Sequence, residues 1–123
     1  MVFETGGKRL FVPLATAPFE WFRSGGKRWE LRRYGRQYTE RTVVPGREVE
    51  LRRGYQRQGD ALWGTVAQTV KANSILEFFD RVPYELVIPI AKDRSEATQI
   101  AVSILGIVED EDIELFGFSV EFK

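Results

Sequence analysis

Five segments of the chain carry the residue pattern of short β-strands, and this pattern limits the fold more than any other feature. The first is β-prone and apolar, and three others alternate between apolar and polar residues, which places every second side chain on one face of a strand. Turn residues rich in glycine and proline separate the segments. The predicted strands cover residues 9–14, 27–34, 48–53, 61–70 and 112–123.

Three helices are predicted between these strands. Thr16 is the expected N-cap of the first, with Pro18 in its first turn, and the helix ends before Ser24-Gly25-Gly26. Ser74 begins the second, while either Asp93 or Ser95 begins the third, which Gly106 closes. The segment 82–90 is ambiguous because prolines restrict both of its ends. The order of elements predicts a mixed α+β fold with a curled sheet.

The size and apolar content of the chain indicate one domain. It has 123 residues, of which 43% are hydrophobic and 13% aromatic, enough for a core without covalent cross-links. No run of about 18 apolar residues indicates a transmembrane helix. The first twenty residues do not resemble a secretory signal. We therefore predict a single domain over residues 1–123 in the cytoplasm.

The absence of cysteine and histidine restricts the possible chemistry. It excludes disulfides, a thiolate nucleophile, a Ser-His-Asp relay and the usual zinc sites. No carboxylate spacing indicates a Mg²⁺ or Ca²⁺ site, so no metal or cofactor is predicted. Acid–base chemistry would have to come from Lys, Glu, Asp, Tyr, Ser or Thr.

The two signs of charge are segregated although the net charge is zero. Residues 1–57 contain 13 Lys and Arg against 6 Asp and Glu, and residues 58–123 contain 5 against 12. This asymmetry is compatible with an anionic partner for the basic half. Mutual neutralisation of the two halves within one fold is the equally supported alternative.

The junction between the first helix and the second strand carries the densest motif. Gly25, Lys27, Glu30 and Arg32 match the pattern GxKxxExR after an apolar helix, which resembles the ASCH domain. The turn at 45–49 and the segment 88–92 are similar to the same family, so the resemblance spans roughly residues 9–122. It implies a PUA-like small mixed β-barrel of about five strands with three flanking helices that binds RNA or a modified nucleobase.

Elementary chemistry is compatible with a binding site at this junction. The Gly25-Gly26 turn gives a ligand access to backbone N–H groups, and Lys27 adds a cation. Glu30 and Arg32 share one strand face, where they can bind an exocyclic amine and a phosphate. Strand parity places Lys27 on the opposite face unless the chain twists there. The alternative is an exposed Lys-Glu-Arg network with no ligand.

Arginines interleaved with tyrosines form a second signal, typical of phosphate contact combined with base stacking. A solvated basic face is the alternative. Trp29 shares the parity of Leu31 and is expected in the core. Arg52 is expected to point outwards and Arg53 to lie at a barrel end. The arginines and lysine of this set are Arg23, Lys27, Arg28, Arg32, Arg33, Arg36, Arg41, Arg47, Arg52, Arg53 and Arg57, with Tyr34, Tyr38 and Tyr55 among them.

The resemblance leaves both a reader and an enzyme open. Some ASCH proteins are described as N4-acetylcytidine amidohydrolases and others as ribonucleases, and the deacetylases use a lysine, a threonine and a glutamate. Lys27 matches the lysine, Glu30 occupies the threonine position, and Glu85 or, less closely, Glu77 matches the glutamate. We therefore predict a reader of RNA, single-stranded nucleic acid or a modified nucleoside, with a hydrolase using Lys27 and Glu30 as the alternative.

The remaining predictions concern the binding residues, a third possible function and the acidic run. The predicted binding residues are Gly25, Gly26, Lys27, Arg28, Arg32, Arg36, Tyr38 and Arg52. A protein-interaction domain that uses the basic half is the third possibility. The acidic run at 109–112 is expected to be a solvated turn before the last strand.

Overall fold

The computed structural model describes residues 9–55, 59–108 and 112–123. Within these ranges it contains five strands and three helices in the predicted order, with a 3₁₀ turn at Tyr84–Leu86 inside the ambiguous segment. Arg57 and residues 109–111 of the acidic run lie outside the described residues. The elements are β1 (Leu10–Leu14), α1 (Thr16–Arg23), β2 (Trp29–Arg33), β3 (Glu48–Arg53), β4 (Ala61–Ala72), α2 (Ile75–Arg81), α3 (Arg94–Leu105) and β5 (Leu115–Phe122).

The strands form one sheet in the order β1-β3-β4-β5-β2. β1 is parallel to β3 and all other neighbours are antiparallel. β1 and β2 are therefore the two edges of a curled half-barrel, and side chains connect them. Arg32 donates to the Pro13 carbonyl at 2.7 Å and Gln37 donates to the Phe11 carbonyl at 2.9 Å. The predicted α+β class, with a small curled five-stranded sheet and three helices, is confirmed.

Two hydrophobic clusters lie on the two sides of the sheet. One fills the half-barrel with side chains from β1, β3, β4, β5 and α1, including Phe19 and Phe22. The other packs α2 and α3 against the opposite side and contains Trp29, which confirms its predicted core position. A Cβ on Gly117 of β5 would lie 2.4 Å from Cε1 of Phe78, so glycine is what allows α2 to pack this closely.

The helices begin and end at the predicted capping residues, with one exception. Ser74 and Asp93 accept hydrogen bonds from the backbone N–H groups of Glu77 and Glu96, which resolves the choice between Asp93 and Ser95. Gly106 ends α3 with a φ of 68°. Thr16, however, is the first helical residue, and Ala15 precedes it without a side-chain hydrogen bond. The predicted Thr16 cap was therefore wrong by one residue.

Within the ranges that the structure describes, no helix combines the length and the apolar character needed to cross a membrane.

Candidate ligand-binding cleft

The turn after α1 directs Lys27 into the molecule. Gly25 has a φ of 90°, a conformation that favours glycine, and it reverses the chain after the helix. A Cβ on Gly26 would lie 3.0 Å from Cβ of Pro89, so this glycine allows close packing. The Lys27 N–H donates to the Trp21 carbonyl at 3.0 Å. The chain therefore twists before β2 begins, which is the condition under which Lys27 was expected to meet Glu30.

Lys27 is a buried cation with three neighbouring groups. Its Nζ donates to the Val87 carbonyl at 2.8 Å, lies 3.4 Å from Oε1 of Glu30 and is 5.2 Å from the centre of the Phe22 ring. The residue is only 3% exposed. Burial lowers the pKa of Lys27 below its usual value, and the charge of Glu30 opposes this shift.

Glu30 links Lys27 to a second cation, Arg32. Its other oxygen, Oε2, accepts from Nε of Arg32 at 2.5 Å. Nη1 of Arg32 donates to the Tyr38 hydroxyl at 2.7 Å, and the guanidinium lies 4.9 Å from the centre of the Tyr38 ring. Burial raises the pKa of Tyr38, against the opposing effect of Arg32. The alternative of an exposed Lys-Glu-Arg network is therefore wrong, because Lys27 and Glu30 are both buried.

The buried charges reach a small cavity of about 30 Å³ between α1, β2 and α3. A space of this size holds roughly one water molecule. Lys27 and Glu30 supply the polar part of its lining, and Trp21, Val87 and Ile104 contribute to the apolar part. Ile104 is 56% exposed, an unusual position for a large apolar side chain beside buried charges.

A wider groove of about 440 Å³ adjoins this cavity, because both are lined by Ile104 and Leu105. We call the cavity and the groove together the β2 cleft. The outer groove is also lined by residues 32–36 and by Tyr38. The guanidinium of Arg33 is already hydrogen-bonded within the protein, since it donates to the carbonyls of Leu105 and Gly106 at the end of α3.

Arg36 lies at the tip of a tight turn beside the β2 cleft. The backbones of Gly35 and Tyr38 exchange two hydrogen bonds across this turn, and Arg36 has a φ of 53°. Positive φ is uncommon for a residue other than glycine and is found most often in turns and functional sites. Arg36 is exposed, and within the described part of the chain its side chain makes no hydrogen bond or ion pair. It therefore presents an available positive charge at the rim.

Four predicted binding residues, Gly25, Gly26, Arg28 and Arg52, do not line the β2 cleft. Gly25 and Arg28 line a different groove, together with Trp63. Arg52 is 8% exposed, and it donates to Glu50 and to the Gly59 carbonyl. Arg52 lies on the outer face of β3, opposite Leu51, as expected, but it is buried there because neighbouring groups cover the side chain. Arg53 ends β3 with an exposed ion pair to Asp60, at the strand end as expected.

The two candidate glutamates have different surroundings. Glu77 accepts from the Asn73 N–H at 2.6 Å while its own N–H donates to Ser74, so both hydrogen bonds stabilise the start of α2. Glu85 is exposed on the 3₁₀ turn and does not line the cavity. A catalytic role for Glu85 stays a prediction.

The sequence did not predict the cleft residues that tertiary packing places beside Lys27. The Val87 carbonyl anchors Lys27, but a backbone carbonyl has no sequence signal. Trp21 and Ile104 were visible only as members of apolar helix faces. The exposure of Ile104 could not be deduced without knowing how α3 lies against β2.

The lowered pKa of Lys27 predicts a pH effect on stability. Between its native pKa and the usual value of 10.5, the unfolded chain binds a proton that the folded chain does not, so the contribution of Lys27 to stability rises with pH. The difference in unfolding free energy between the wild type and Lys27→Met should rise in alkaline solution. Urea unfolding between pH 7 and 10.5 measures it, and a difference that falls with pH contradicts the lowered pKa.

No family model matches this chain, and no curated protein matches it. Solved structures do resemble it. Hypothetical protein PH0355 is 18% identical, with 94% of this chain and 100% of that chain covered and a TM-score of 0.74. Protein PF0455 from Pyrococcus furiosus is 19% identical, with 94% and 97% covered and a TM-score of 0.65.

A structure of an ASCH protein from Zymomonas mobilis is also similar. It is 10% identical to this chain, with 90% of this chain and 65% of that chain covered and a TM-score of 0.59. The fold expected from the sequence resemblance is thereby confirmed.

Proposed function

We propose that this chain, which has the ASCH fold, binds RNA or a modified nucleobase in the β2 cleft, in the cytoplasm. The observation that carries this proposal is the network of buried Lys27 and Glu30 with partly buried Arg32 and Tyr38, which opens onto a cavity with apolar walls. Binding sites of small ligands combine an apolar lining with a few fixed polar groups in this way.

The chemistry of the inner cavity favours a carbonyl-bearing substituent on the base. An ammonium has three N–H donors, and two of those of Lys27 are directed to Val87 and Glu30. The third can donate to a ligand carbonyl oxygen. A space of about 30 Å³ is too small for a whole base but fits a group of the size of a methyl or carbonyl. An acetylated cytosine, which the ASCH resemblance implies, would place the carbonyl of its acetyl group there and its ring in the outer groove.

The outer groove supplies contacts for a nucleic-acid backbone. Arg36 is the exposed cation at its rim, and the Tyr38 ring lies beside it. Arginine suits this position because its planar guanidinium binds a phosphate through two parallel hydrogen bonds. The binding energy therefore divides between base contacts inside the cleft and phosphate contacts at the rim.

Hydrolysis is the second candidate, and the lowered pKa of Lys27 beside a carboxylate is the observation that favours it. The ion pairs of Glu30 argue against it, because each of its two carboxylate oxygens contacts a cation. Glu30 would have to break one of these contacts before it could act as a general base. The test is incubation with N4-acetylcytidine, with cytidine release followed by chromatography. Release that is lost in Lys27→Ala would establish the hydrolase.

Arg36→Ala is expected to weaken RNA binding similarly for different sequences. The slope of log K against log salt concentration is negative, and removal of one phosphate contact should reduce its magnitude by about 0.7 for a single strand. The measurement is a fluorescence anisotropy titration of a single-stranded RNA at several salt concentrations.

Lys92→Ala is the matched control for Arg36→Ala. It removes the same charge from an exposed residue that precedes α3, whereas the β2 cleft lies at the other end of this helix. Twelve helical residues span about 18 Å. Equal slope changes in the two variants would show that only net charge matters and would count against the β2 cleft.

A further inference from the structure

The outer face of β1, β3 and β4 carries a second groove, of about 500 Å³. We call it the aromatic groove. Phe11 pairs with Glu50 in the strand register and Glu50 pairs with Trp63, so these three side chains lie side by side across three strands. The intervening residues Val12 and Leu51 face the core of the half-barrel. The lining residues are Arg9, Phe11, Glu50, Arg52, Tyr55 and Trp63.

Two of the aromatic side chains in this groove are exposed. Tyr55 is 79% exposed and Trp63 is 40% exposed. The rings of Phe11 and Tyr55 have centroids 6.4 Å apart with an interplanar angle of 43°. Clustered, exposed aromatic rings of this kind offer flat surfaces for stacking, and such patches commonly mark binding sites.

The charges of the groove favour an anionic ligand. Glu50 accepts from two nitrogens of Arg52, which neutralises its carboxylate within the protein. Arg9 lies 3.6 Å from Glu50 and its guanidinium is 4.7 Å from the centre of the Trp63 ring. Arg9, Arg52 and Glu50 together therefore give the groove a net charge of one positive unit. The groove thus suits a flat, anionic molecule better than a cation, and a nucleotide has both properties.

A basic groove continues from the aromatic groove, because Trp63 lines both. Arg23, Arg28 and Lys123 line this continuation, of about 430 Å³. Arg23 and Lys123 form ion pairs with exposed carboxylates, whereas Arg28 forms no side-chain hydrogen bond or ion pair with the described residues. Gly25 and Arg28, which the sequence assigned to binding, lie here. Arg28 directly follows Lys27 in the chain, but the two side chains line different grooves.

We infer that the aromatic groove is a second nucleobase site, which stacks one base of a single-stranded nucleic acid on Trp63 and Tyr55. The flanking phosphates bind Arg9 and Arg28. This inference rests on the proposed function, since it extends the bound strand beyond the β2 cleft. It predicts that a longer strand binds more tightly than a short one, because only the longer strand reaches both sites.

The test compares Trp63→Ala with wild type on a twelve-nucleotide single-stranded RNA that contains one N4-acetylcytidine and on inorganic polyphosphate. Loss of a stacking aromatic weakens binding by about 5- to 100-fold, so Trp63→Ala should lose RNA affinity within this range while polyphosphate affinity is unchanged. Trp63→Phe keeps a ring and should retain most of the affinity. Ile90→Ala is the control, an exposed apolar side chain elsewhere on the surface.

The outcomes separate this inference from the proposed function. If Trp63→Ala has unchanged RNA affinity while Lys27→Met loses affinity, base binding in the aromatic groove is contradicted and binding in the β2 cleft is supported. A loss in Trp63→Ala without one in Lys27→Met supports the groove and contradicts the cleft. Equal losses for RNA and polyphosphate overturn base stacking.

Discussion

Glu30→Gln is expected to lower the free energy of unfolding by about 3–5 kcal/mol, the usual effect of removing one partner from a buried ion pair. Glu30 is 6% exposed and lies between Lys27 and Arg32, with one oxygen on each cation. Glutamine has nearly the same shape but no charge, so Lys27 would remain buried without its counter-charge. The loss is therefore electrostatic rather than a loss of packing.

Urea unfolding of the variant measures this effect, with Glu114→Gln as the control. Glu114 pairs with Lys71 at 3.3 Å, but its side chain is 54% exposed, so its loss should cost at most about 1 kcal/mol. In the double variant Lys27→Met, Glu30→Gln, part of the lost stability should return, because the uncompensated ammonium is gone. Equal, small losses in Glu30→Gln and Glu114→Gln would show that Glu30 does not hold buried charges together.

Lys27→Met is expected to weaken binding of an RNA containing N4-acetylcytidine by about 10- to 100-fold, the effect of losing a hydrogen bond from a charged group. Methionine is unbranched and apolar, so it fills similar space without a charge. The Val87 carbonyl would lose its donor, at a cost of about 1–3 kcal/mol in stability. The variant should remain folded if the wild type has the usual stability of a small domain.

The control for Lys27→Met is Lys92→Met, which makes the same replacement at an exposed position. It should bind the RNA as the wild type does. Circular dichroism and thermal unfolding establish that both variants are folded before the titration. A folded Lys27→Met with wild-type affinity would remove Lys27 from the binding site.

Much of the fold could be predicted because its signals are local. The alternation in β2 and β3 and the caps at Ser74, Asp93 and Gly106 depend on residues within one or two turns of each other. The order of strands depends on long-range pairing, and no local pattern places β1 beside β3. The burial of Arg52 could not be predicted locally, because the groups that cover its side chain belong to neighbouring strands and to the Gly59 carbonyl.

The candidate site was predictable only in part. The motif identified Lys27, Glu30 and Arg32, and all three belong to one buried network. The cavity beside them depends on α3 and on the segment after the 3₁₀ turn, which are distant in sequence. The predicted binding set also grouped Arg28 with Lys27, although consecutive side chains at the entry to a strand point in different directions.

The most direct test of the central claim is a map of backbone amide NMR shifts during titration with N4-acetylcytidine. If the β2 cleft binds the modified base, the largest shifts should fall on residues that line the cleft, namely Lys27, Glu30, Leu31, Arg32, Val87, Ile88, Ala101, Ile104 and Leu105. Trp63 should shift only when a longer RNA replaces the nucleoside. Shifts confined to other surfaces, or no shifts with either the nucleoside or RNA, would contradict binding in the β2 cleft.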